Sequence, residues 1–331
     1  MFIVRDLGTA IALCVVTMLG WGSWANTQKL AGKDKWPFQL YYWDYAVGVF
    51  VLGLVFLFTL GSIGASGMTG LENLSQAGGG AIGRALFSGV LFNISNILLV
   101  VAIDAVGMSV AFPVGVGLAL VIGTVVSYVQ TPKGSSTLLF GGVGLVVLAM
   151  IMSAIAYSKL PRKAGHGWAR GVIFAVIAGC LMGSFYPQLI GAVSPDFNSA
   201  PIEAGKLTPY AALAIFGLGL LLSNFAVNTV FIKAAGLSYS EYFRGSIRLH
   251  SLGFVGGMIW MLALSANVVA SGVAGPAISY ALGQGATLVA AIWGVLIWRE
   301  FREAPRGTMP YVISTFVGYA VGLTLIGVAT L

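Results

Sequence analysis

Long apolar stretches recur along the whole chain, and short polar segments separate them. A helix needs about 20 predominantly apolar residues to cross the hydrocarbon core of a bilayer, and these stretches have that length. The pattern therefore predicts an all-α integral membrane protein with ten transmembrane helices. We place them at residues 6–26, 41–62, 84–104, 107–129, 136–157, 168–191, 208–232, 246–266, 274–298 and 308–330.

The third and fourth predicted helices lie within one apolar block, which runs from Leu86 to Val129 and contains a single charged residue, Asp104. Because the block is too long for one span, it must fold back as a tight hairpin near Asp104. The longest connecting segments, 61–83 and 192–207, leave no room for a soluble domain. The chain is therefore predicted to form one membrane domain.

The composition supports this interpretation. Only 8% of the 331 residues are charged and 58% are hydrophobic, whereas a soluble domain carries about 25% charged residues. The 46 glycines are typical of membrane helices, in which small residues allow two backbones to approach each other closely.

The basic residues are concentrated in alternate connecting segments, and this distribution predicts the orientation in the membrane. One side carries Lys29, Lys33, Lys35, Lys159, Arg162, Lys163, Arg170, Lys233, Arg244, Arg248, Arg299, Arg302 and Arg306. The other side carries Arg5, Arg84, Lys133 and Lys206. By the positive-inside rule the larger group faces the cytoplasm. We therefore expect a bacterial-type plasma membrane location, both termini outside and a cytoplasmic central loop, and no nucleic-acid partner is needed to explain the net charge of +7.

Weak internal similarity predicts a duplicated architecture. Gly22-Ser23-Trp24 in the first helix matches Gly183-Ser184-Phe185 in the sixth, at an offset of 161 residues. A second set matches at an offset of 163 residues: Ala111, Pro113 and Thr124 with Ala274, Pro276 and Thr287. Because five helices per half is an odd number, the halves 1–160 and 161–331 are predicted to be inverted repeats, as in many transporters.

The sequence carries no recognisable enzyme motif. The two histidines, His166 and His250, form no zinc-ligand pattern with Cys14 and Cys180, and a phosphate-binding loop is missing. No pair of acids lies at helical spacing inside the predicted helices. We therefore expect no catalytic residue, no metal site and no cofactor, and we do not expect an enzyme.

Neutral polar residues instead occur in pairs near the middle of predicted helices. The pairs are Asn93 with Asn96, Asn224 with Asn228, and Gln284 with Thr287. Residues three or four apart share one helix face, and burying an unpaired amide in hydrocarbon costs several kcal/mol. These side chains must therefore face one another, water or a solute. Hydrogen bonding between helices is the alternative, and we favour a shared polar cavity.

The chemistry of these side chains indicates the kind of solute. Amides offer both donors and acceptors, which suits a small neutral polar solute such as a monosaccharide, a ureide or a nucleobase. A cationic substrate would require a deep aspartate or glutamate, and an anionic substrate would require a deep arginine or lysine. Neither type of residue lies in the middle of a predicted helix.

Aromatic residues near the helix ends complete the candidate site. Most of them are expected to lie in the interfacial belt of the membrane. Trp24 and Tyr186 occupy nearly equivalent positions of the predicted repeat, so we interpret them as gates or stacking surfaces, and Tyr280 is a third candidate. Pro113 and Pro276 can bend the paired helices that contain them, which is a mechanical element of alternating access.

Two acids are candidates for proton coupling. Asp44 follows Tyr41-Tyr42-Trp43, and Asp104 lies in the predicted hairpin, so both are close to the membrane. An acid in a partly apolar setting can take up and release a proton. The alternative for Asp44 is an interfacial anchor. His250 is interpreted as a satisfied packing residue, with a proton relay as the alternative, and a proton or sodium is expected as the coupling ion.

Several motifs resemble those of the ureide permease family, and the likeness spans nearly the whole chain. The motifs are Asn96 followed by Val106-Gly107-Met108-Ser109-Val110, Val121-Ile122-Gly123-Thr124 with Tyr128, Trp293-Gly294-Val295-Leu296 with Glu300-Phe301-Arg302, and Trp36-Pro37-Phe38 with Tyr42-Trp43-Asp44-Tyr45. The resemblance places the chain near the drug/metabolite transporter superfamily, which also includes the bacterial glucose and rhamnose uptake proteins.

The resemblance implies ten helices in two inverted halves and proton-coupled uptake of small polar solutes, such as allantoin in the plant ureide permeases. Those proteins also have a larger central cytoplasmic loop with a nucleotide-binding-like motif. The segment from Ser158 to Gly167 is short and lacks that motif, so the resemblance leaves the substrate open.

Taken together, the residues and the resemblance predict a secondary active transporter that imports a small neutral polar solute by alternating access. Two alternatives remain open at this point. One is an exporter of amphipathic drugs or metabolites, and the other is a membrane scaffold or sensor that transports nothing.

Overall fold

The computed structural model describes residues 1–64, 67–160 and 168–331. Within these ranges the regular structure is helical, and the extended pairings are isolated bridges between Ala77 and Gly205 and between Val193 and Leu207. The predicted all-α class is therefore confirmed.

Ten helical segments of the described chain are long and apolar enough to cross a membrane, as predicted, and the chain is a multi-pass membrane protein. The helices are α1 (Leu7–Ser23), α2 (Ala25–Lys33), α3 (Phe38–Phe58), α4 (Gly70–Gln76), α5 (Gly79–Val106), α6 (Met108–Gln130), α7 (Ser136–Ser158), α8 (Trp168–Ala192), α9 (Pro209–Ala234), α10 (Tyr239–Phe243), α11 (Ile247–Ala274), α12 (Pro276–Gly283), α13 (Ala286–Ile292) and α14 (Met309–Val328), with a π-helical segment at Trp293–Ile297. The inverted repeat remains a prediction.

Some spans are longer than the hydrophobic pattern indicates. The first span continues through Trp24, whose backbone is helical (φ −55°, ψ −36°), and ends at Lys33 rather than at residue 26. The third begins at Gly79 and the eighth ends at Ala274. Apolar residues mark the part of a helix within the hydrocarbon, whereas backbone hydrogen bonding continues the helix beyond it.

Two short helices, α4 and α10, lie in segments that the apolar pattern leaves as loops. Each begins with a capping box, in which a hydroxyl and a glutamate three residues later satisfy each other's backbone N–H groups. Thr69 and Glu72 form the first box, and Ser238 and Glu241 form the second. Local hydrogen bonding therefore defines these helices.

The ninth span is interrupted, although residues 274–298 are predicted as one helix. Pro276 occupies the first turn of α12, where its missing N–H costs nothing, so it starts a helix rather than bending one. Gly275 before it has a positive φ of 88°. The span turns again at Gln284 and Gly285, continues as α13, and ends in the π-helical segment.

By internal contacts the chain divides into two compact units. The first unit contains residues 1–93 and 188–273, and the second contains residues 94–187 and 274–331. Each unit draws on both halves of the sequence, and the long helices α5 and α8 contribute to both.

Close backbone contact between α5 and α9 organises the first unit. A Cβ atom at Gly89 would collide with the backbone of Phe216 and Leu220, and one at Gly219 would collide with the backbone of Leu86. Because membrane helices associate mainly through close packing, these glycines determine which polar residues one turn further along can meet.

The second unit is packed in the same manner. Gly142 of α7 and Gly322 of α14 each lie against the other's carbonyl oxygen. In α6, Gly123 makes room for the ring of Tyr280, whose hydroxyl donates a hydrogen bond to the Ala119 carbonyl over 3.3 Å. The contact between Gly123 and the Tyr280 ring therefore allows α12 to pack closely against α6.

A buried asparagine attaches α4 to the segment before α9. Asn73 is fully buried (0% exposed). Its Oδ1 atom accepts from the Thr208 N–H over 2.8 Å, and its Nδ2 atom donates to the Lys206 carbonyl over 3.0 Å. These two bonds hold α4 against the segment that leads into α9, at one end of the first unit.

The charge-based orientation is not tested by the fold. Arg162, Lys163 and His166 of the central loop lie outside the described residues, which stop at Leu160 and resume at Trp168. The placing of both termini outside and of this loop in the cytoplasm remains a prediction.

The contact between α5 and α9 can be tested with two matched substitutions. We expect Gly89→Ala to lower the free energy of unfolding by about 1–3 kcal/mol, because the added methyl group overpacks the crossing. Gly83→Ala lies on the same helix, and its Cβ atom would meet nothing within 4 Å. Thermal unfolding in detergent should show destabilisation for Gly89→Ala alone, and equal stability of the two variants would contradict the packing argument.

The capping box of α4 predicts a pH effect. Hydrogen bonds from the Thr69 backbone and side chain lower the pKa of Glu72 below its ordinary value of 4.5. Because folding favours the ionised carboxylate, its stabilising effect is present above that value and is lost as the pH falls through the folded-state pKa. The difference in melting temperature between the wild type and Glu72→Gln should therefore shrink on acidification, whereas a constant difference would show that the box does not depend on ionisation.

Candidate functional site

Two asparagines of α9 lie on one helix face in the interior of the first unit. Asn224 and Asn228 are four residues apart, and both are fully buried (0% exposed). The Nδ2 atom of Asn228 donates to the carbonyl of Gln39, at the start of α3, over 2.8 Å. The Oδ1 atom of Asn228 and both polar atoms of Asn224 have no hydrogen-bond partner in the described structure.

A third buried amide, Asn93 of α5, meets α9 one turn beyond the glycine crossing. Its Nδ2 atom donates to the hydroxyl of Ser223 over 2.8 Å, and that hydroxyl donates to the Leu220 carbonyl over 3.0 Å. The Oδ1 atom of Asn93 has no partner among the described residues. The close approach of the backbones therefore places Asn93 beside the residue that precedes Asn224.

The hydrogen bonds of these amides are incomplete. Bonds between helices account for the Nδ2 atoms of Asn93 and Asn228. They do not account for Asn93 Oδ1, Asn224 Nδ2, Asn224 Oδ1 or Asn228 Oδ1. Leaving a buried polar atom unpaired costs about 1–3 kcal/mol, so interhelical bonding alone does not explain the cluster, which we call the amide cluster. A polar solute or water would satisfy these atoms.

The second unit contains a separate set of buried polar groups. Asn96 is 4% exposed, and its Nδ2 atom has no partner in the described structure. Thr124 and Ser127 are three residues apart on α6, and their buried hydroxyls also have no partner there. Asn96 is a predicted site residue, whereas Ser127 is not among the predicted ones.

Gln284 and Thr287 lie at the interruption of the ninth span and are partly buried. The Thr287 hydroxyl donates to the Gln284 carbonyl over 2.8 Å, and the Thr287 side chain also bonds to Tyr319 of α14. Discontinuous membrane helices often contribute to solute sites, because their ends present free backbone groups. The sequence predicts Gln284 and Thr287 as site residues, but it does not predict the break in the helix at this position.

The three predicted aromatic residues each pack against another ring. Trp24 lies 5.0 Å from Tyr45 between ring centroids, within the first unit. Tyr186 and Tyr280 lie 4.8 Å apart within the second unit, and both are fully buried. Burial in the protein distinguishes Tyr186 and Tyr280 from residues of an interfacial belt.

The two predicted acids differ in their surroundings. Asp44 is buried, with 8% of its surface exposed, and each of its two carboxylate oxygens forms a hydrogen bond with a side chain of another helix. Asp104 is exposed in the last turn of α5. Because Asp44 is buried, its protonation depends on the surrounding side chains. Asp44 is therefore the stronger of the two candidates for proton coupling.

Sequence reasoning missed the two partners of Asp44. His250 of α11 places its Nδ1 atom 2.9 Å from the Asp44 Oδ2 atom, a contact that the sequence does not predict. Tyr242 of α10 donates its hydroxyl to the Oδ1 atom over 2.8 Å. The Ser238-x-x-Glu241 pattern predicts the helix that carries Tyr242, but sequence does not reveal which acid that helix meets.

These features define a multi-pass membrane protein whose helices bury polar groups without complete hydrogen bonding, an arrangement expected where a membrane protein binds a polar solute. Comparison with known proteins is consistent with this class. A family model described as Ureide permease matches residues 41–164, a region that includes Asp44, Asn93 and Asn96.

The chain is also similar to named relatives over most of its length. It is 21% identical to Ureide permease 1 of Arabidopsis thaliana, and the alignment covers 98% of each chain. It is 22% identical to Ureide permease 4 of the same plant, again over 98% of each chain. It is 24% identical to a Listeria innocua protein named for sugar uptake, over 75% of this chain and 79% of the relative.

The unpaired atoms of the amide cluster lead to a stability prediction. Asn224→Leu should not lower the melting temperature, because the substitution removes two unpaired polar atoms and keeps a similar volume. Asn228→Leu should lower the free energy of unfolding by about 0.5–1.5 kcal/mol, because it removes the bond to the Gln39 carbonyl. Thermal unfolding of both variants in detergent compares them, and a larger loss for Asn224→Leu would show that this amide is a structural bond donor.

Proposed function

We propose that this protein is a secondary active transporter that imports a small neutral polar solute, a monosaccharide or a ureide or nucleobase, by alternating access. The amide cluster is the observation that carries the proposal, because four of its buried atoms lack a partner among the described residues. The names of the relatives, which refer to ureide permeation and sugar uptake, support the same function.

The free atoms of the cluster suit a neutral solute. They comprise three carbonyl oxygens, which accept, and the amide group of Asn224, which donates. A side-chain amide can form paired bonds with the N–H and C=O groups of a ureide or with two neighbouring hydroxyls of a sugar. In α9 the charged residue is Lys233, near the end of the helix, so the cluster itself provides no counter-charge for an ionic substrate.

Further contacts are proposed from the remaining candidate residues. In the first unit, Trp24 would provide a flat surface for a ring. In the second unit, taken by itself, Asn96, Gln284 and Thr287 are proposed as polar solute contacts, and the Tyr186–Tyr280 pair is proposed as an aromatic contact. Stacking of this kind stabilises a planar heterocycle or the apolar face of a sugar.

The proposed topology has both termini outside and the central loop in the cytoplasm of a bacterial-type plasma membrane, since alternate segments carry most of the basic residues. Uptake is proposed to be driven by a cation that enters with the solute. Asp44 is the preferred proton-coupling residue over Asp104, because Asp44 is the buried acid.

Uptake into proteoliposomes tests the proposed function. The purified chain should accumulate labelled glucose or labelled allantoin, and Asn224→Leu should reduce uptake about tenfold or more, as expected when about 1–3 kcal/mol of hydrogen bonding to the solute is lost. Asn198→Leu makes the same substitution outside the amide cluster, where the side chain bonds to the Val4 carbonyl, and should retain uptake.

Two results would contradict the proposal. The first is no uptake of a sugar, a ureide or a nucleobase by the wild type. The second is normal uptake by Asn224→Leu, which would separate transport from the amide cluster. Resistance of expressing cells to amphipathic drugs, together with outward transport in vesicles, would favour the exporter alternative.

A further inference from the structure

Three elements of the first unit meet at the carboxylate of Asp44. Asp44 lies in the second turn of α3, His250 lies in the first turns of α11, and Tyr242 lies on α10. The Asp44 Oδ2 atom is 2.9 Å from His250 Nδ1, and the Oδ1 atom accepts from the Tyr242 hydroxyl over 2.8 Å. The side chains of Asp44 and His250 are 11% and 23% exposed, so the pair is largely removed from solvent.

Other charged side chains nearby are engaged elsewhere. Arg248, two residues before His250, forms an ion pair with Asp34 at the end of α2, over 3.0 Å. The Glu241 carboxylate accepts from the Ser238 N–H at the start of α10 over 2.7 Å. In the described structure, the ion pair of Asp44 is therefore with His250 and not with a lysine or arginine.

The remaining ionisable groups around the pair are phenols and charges at the helix ends. Burial and the Asp44 carboxylate raise the pKa of Tyr242, so its hydroxyl stays protonated and donates. On α3 itself, Tyr41 bonds to Thr27 over 2.7 Å, and the ring of Tyr45 stacks on that of Tyr42 with 5.1 Å between centroids. Lys29 and Lys33 on α2 and Arg244 at the end of α10 are the other charges on these elements.

An aspartate and a histidine in one hydrogen bond form a site for a single proton. With the imidazole neutral the pair has a charge of −1, and with one more proton it is neutral overall. Burial penalises the net charge, and histidine is the side chain whose charge changes nearest to neutral pH. Uptake and release of one proton therefore switch the pair between a net charge of −1 and neutrality.

The same helix connects this pair with the amide cluster. The carbonyl of Gln39 in α3 accepts from Asn228, and Gln39 and Asp44 are five residues apart, which is about 7.5 Å along a helix axis. Between them, the ring of Trp43 packs against Phe225 of α9, with 4.8 Å between centroids. A shift of α10 or α11 that moves α3 would therefore also move the Gln39 carbonyl, which accepts the hydrogen bond from Asn228.

We propose that Asp44 and His250 together bind the proton that is transported with the solute, an inference that rests on the proposed transport function. On one side of the membrane the pair takes up a proton. On the other side the proton leaves, and the Asp44 carboxylate and the neutral imidazole are restored.

Proteoliposome transport of labelled glucose or allantoin can separate coupling from solute binding. For wild-type protein, an inward proton gradient of one pH unit should increase accumulation by up to about tenfold, the equilibrium limit for one proton per solute. Asp44→Asn and His250→Gln should lose this increase and should still exchange labelled for unlabelled solute at equal pH. Asp34→Asn, which removes an exposed acid from the same end of the unit, should behave as the wild type.

The outcomes distinguish the two proposals. If the wild type transports no sugar, ureide or nucleobase, the proposed function fails. If the wild type accumulates solute with the gradient and both variants do so equally, the function stands and the proton-site inference is overturned. Loss of exchange as well as accumulation in both variants would also overturn it, because the pair would then be required for solute binding or folding. Accumulation driven by sodium alone would overturn it too.

Proton binding can be measured without any solute. The indole of Trp36 lies 5.8 Å from the His250 ring, edge to face, and a protonated imidazole quenches indole fluorescence. The difference in fluorescence between the wild type and Trp36→Phe should follow a one-proton titration, which isolates this residue from the other tryptophans. The titration should vanish in His250→Gln and shift in Asp44→Asn, and a titration unchanged in both variants would refute the assigned site.

Discussion

A polar group inside a bilayer must find its hydrogen-bond partner within the protein, because the hydrocarbon offers none. This constraint explains most of the polar contacts in the first unit, including the bond from Asn93 to Ser223 and that from Asn228 to Gln39. The same constraint makes the unpaired amide of Asn224 informative. Glycines at the α5–α9 crossing bring Asn93 beside Ser223, so close packing and buried polar atoms occur together in one helix pair.

Much of the architecture follows from the sequence, because an apolar run of about 20 residues has few alternatives to a membrane helix. Helix ends were harder to predict, since local hydrogen bonds rather than hydropathy determine them. The capping boxes at Thr69 and Ser238 have the Ser/Thr-x-x-Glu pattern of a helix start, which hydropathy does not detect. The interruption at Gln284 is not evident from the sequence, because α12 and α13 together have the apolar composition of one span.

The candidate site was predictable in part for the same physical reason. Asn93 and Asn224 stand out because an amide in an apolar run is costly wherever it faces. His250, in contrast, lies near a helix start, where a polar residue is common. Its pairing with Asp44 depends on how segments that are distant in the sequence fold together. Sequence indicates which residues are expensive to bury, whereas structure identifies their partners.

The π-helical segment Trp293–Ile297 has a consequence for how this span can vary. Such a turn contains one residue more than the α-helical turn it replaces, and the extra residue is accommodated within the turn itself. Beyond it, Glu300 accepts a hydrogen bond from the Tyr157 hydroxyl of α7 over 2.8 Å. Removing a single residue from the turn would therefore convert it to ordinary α-helix and leave the flanking side chains in phase, so homologous chains can differ in length by one residue here and still retain this bond.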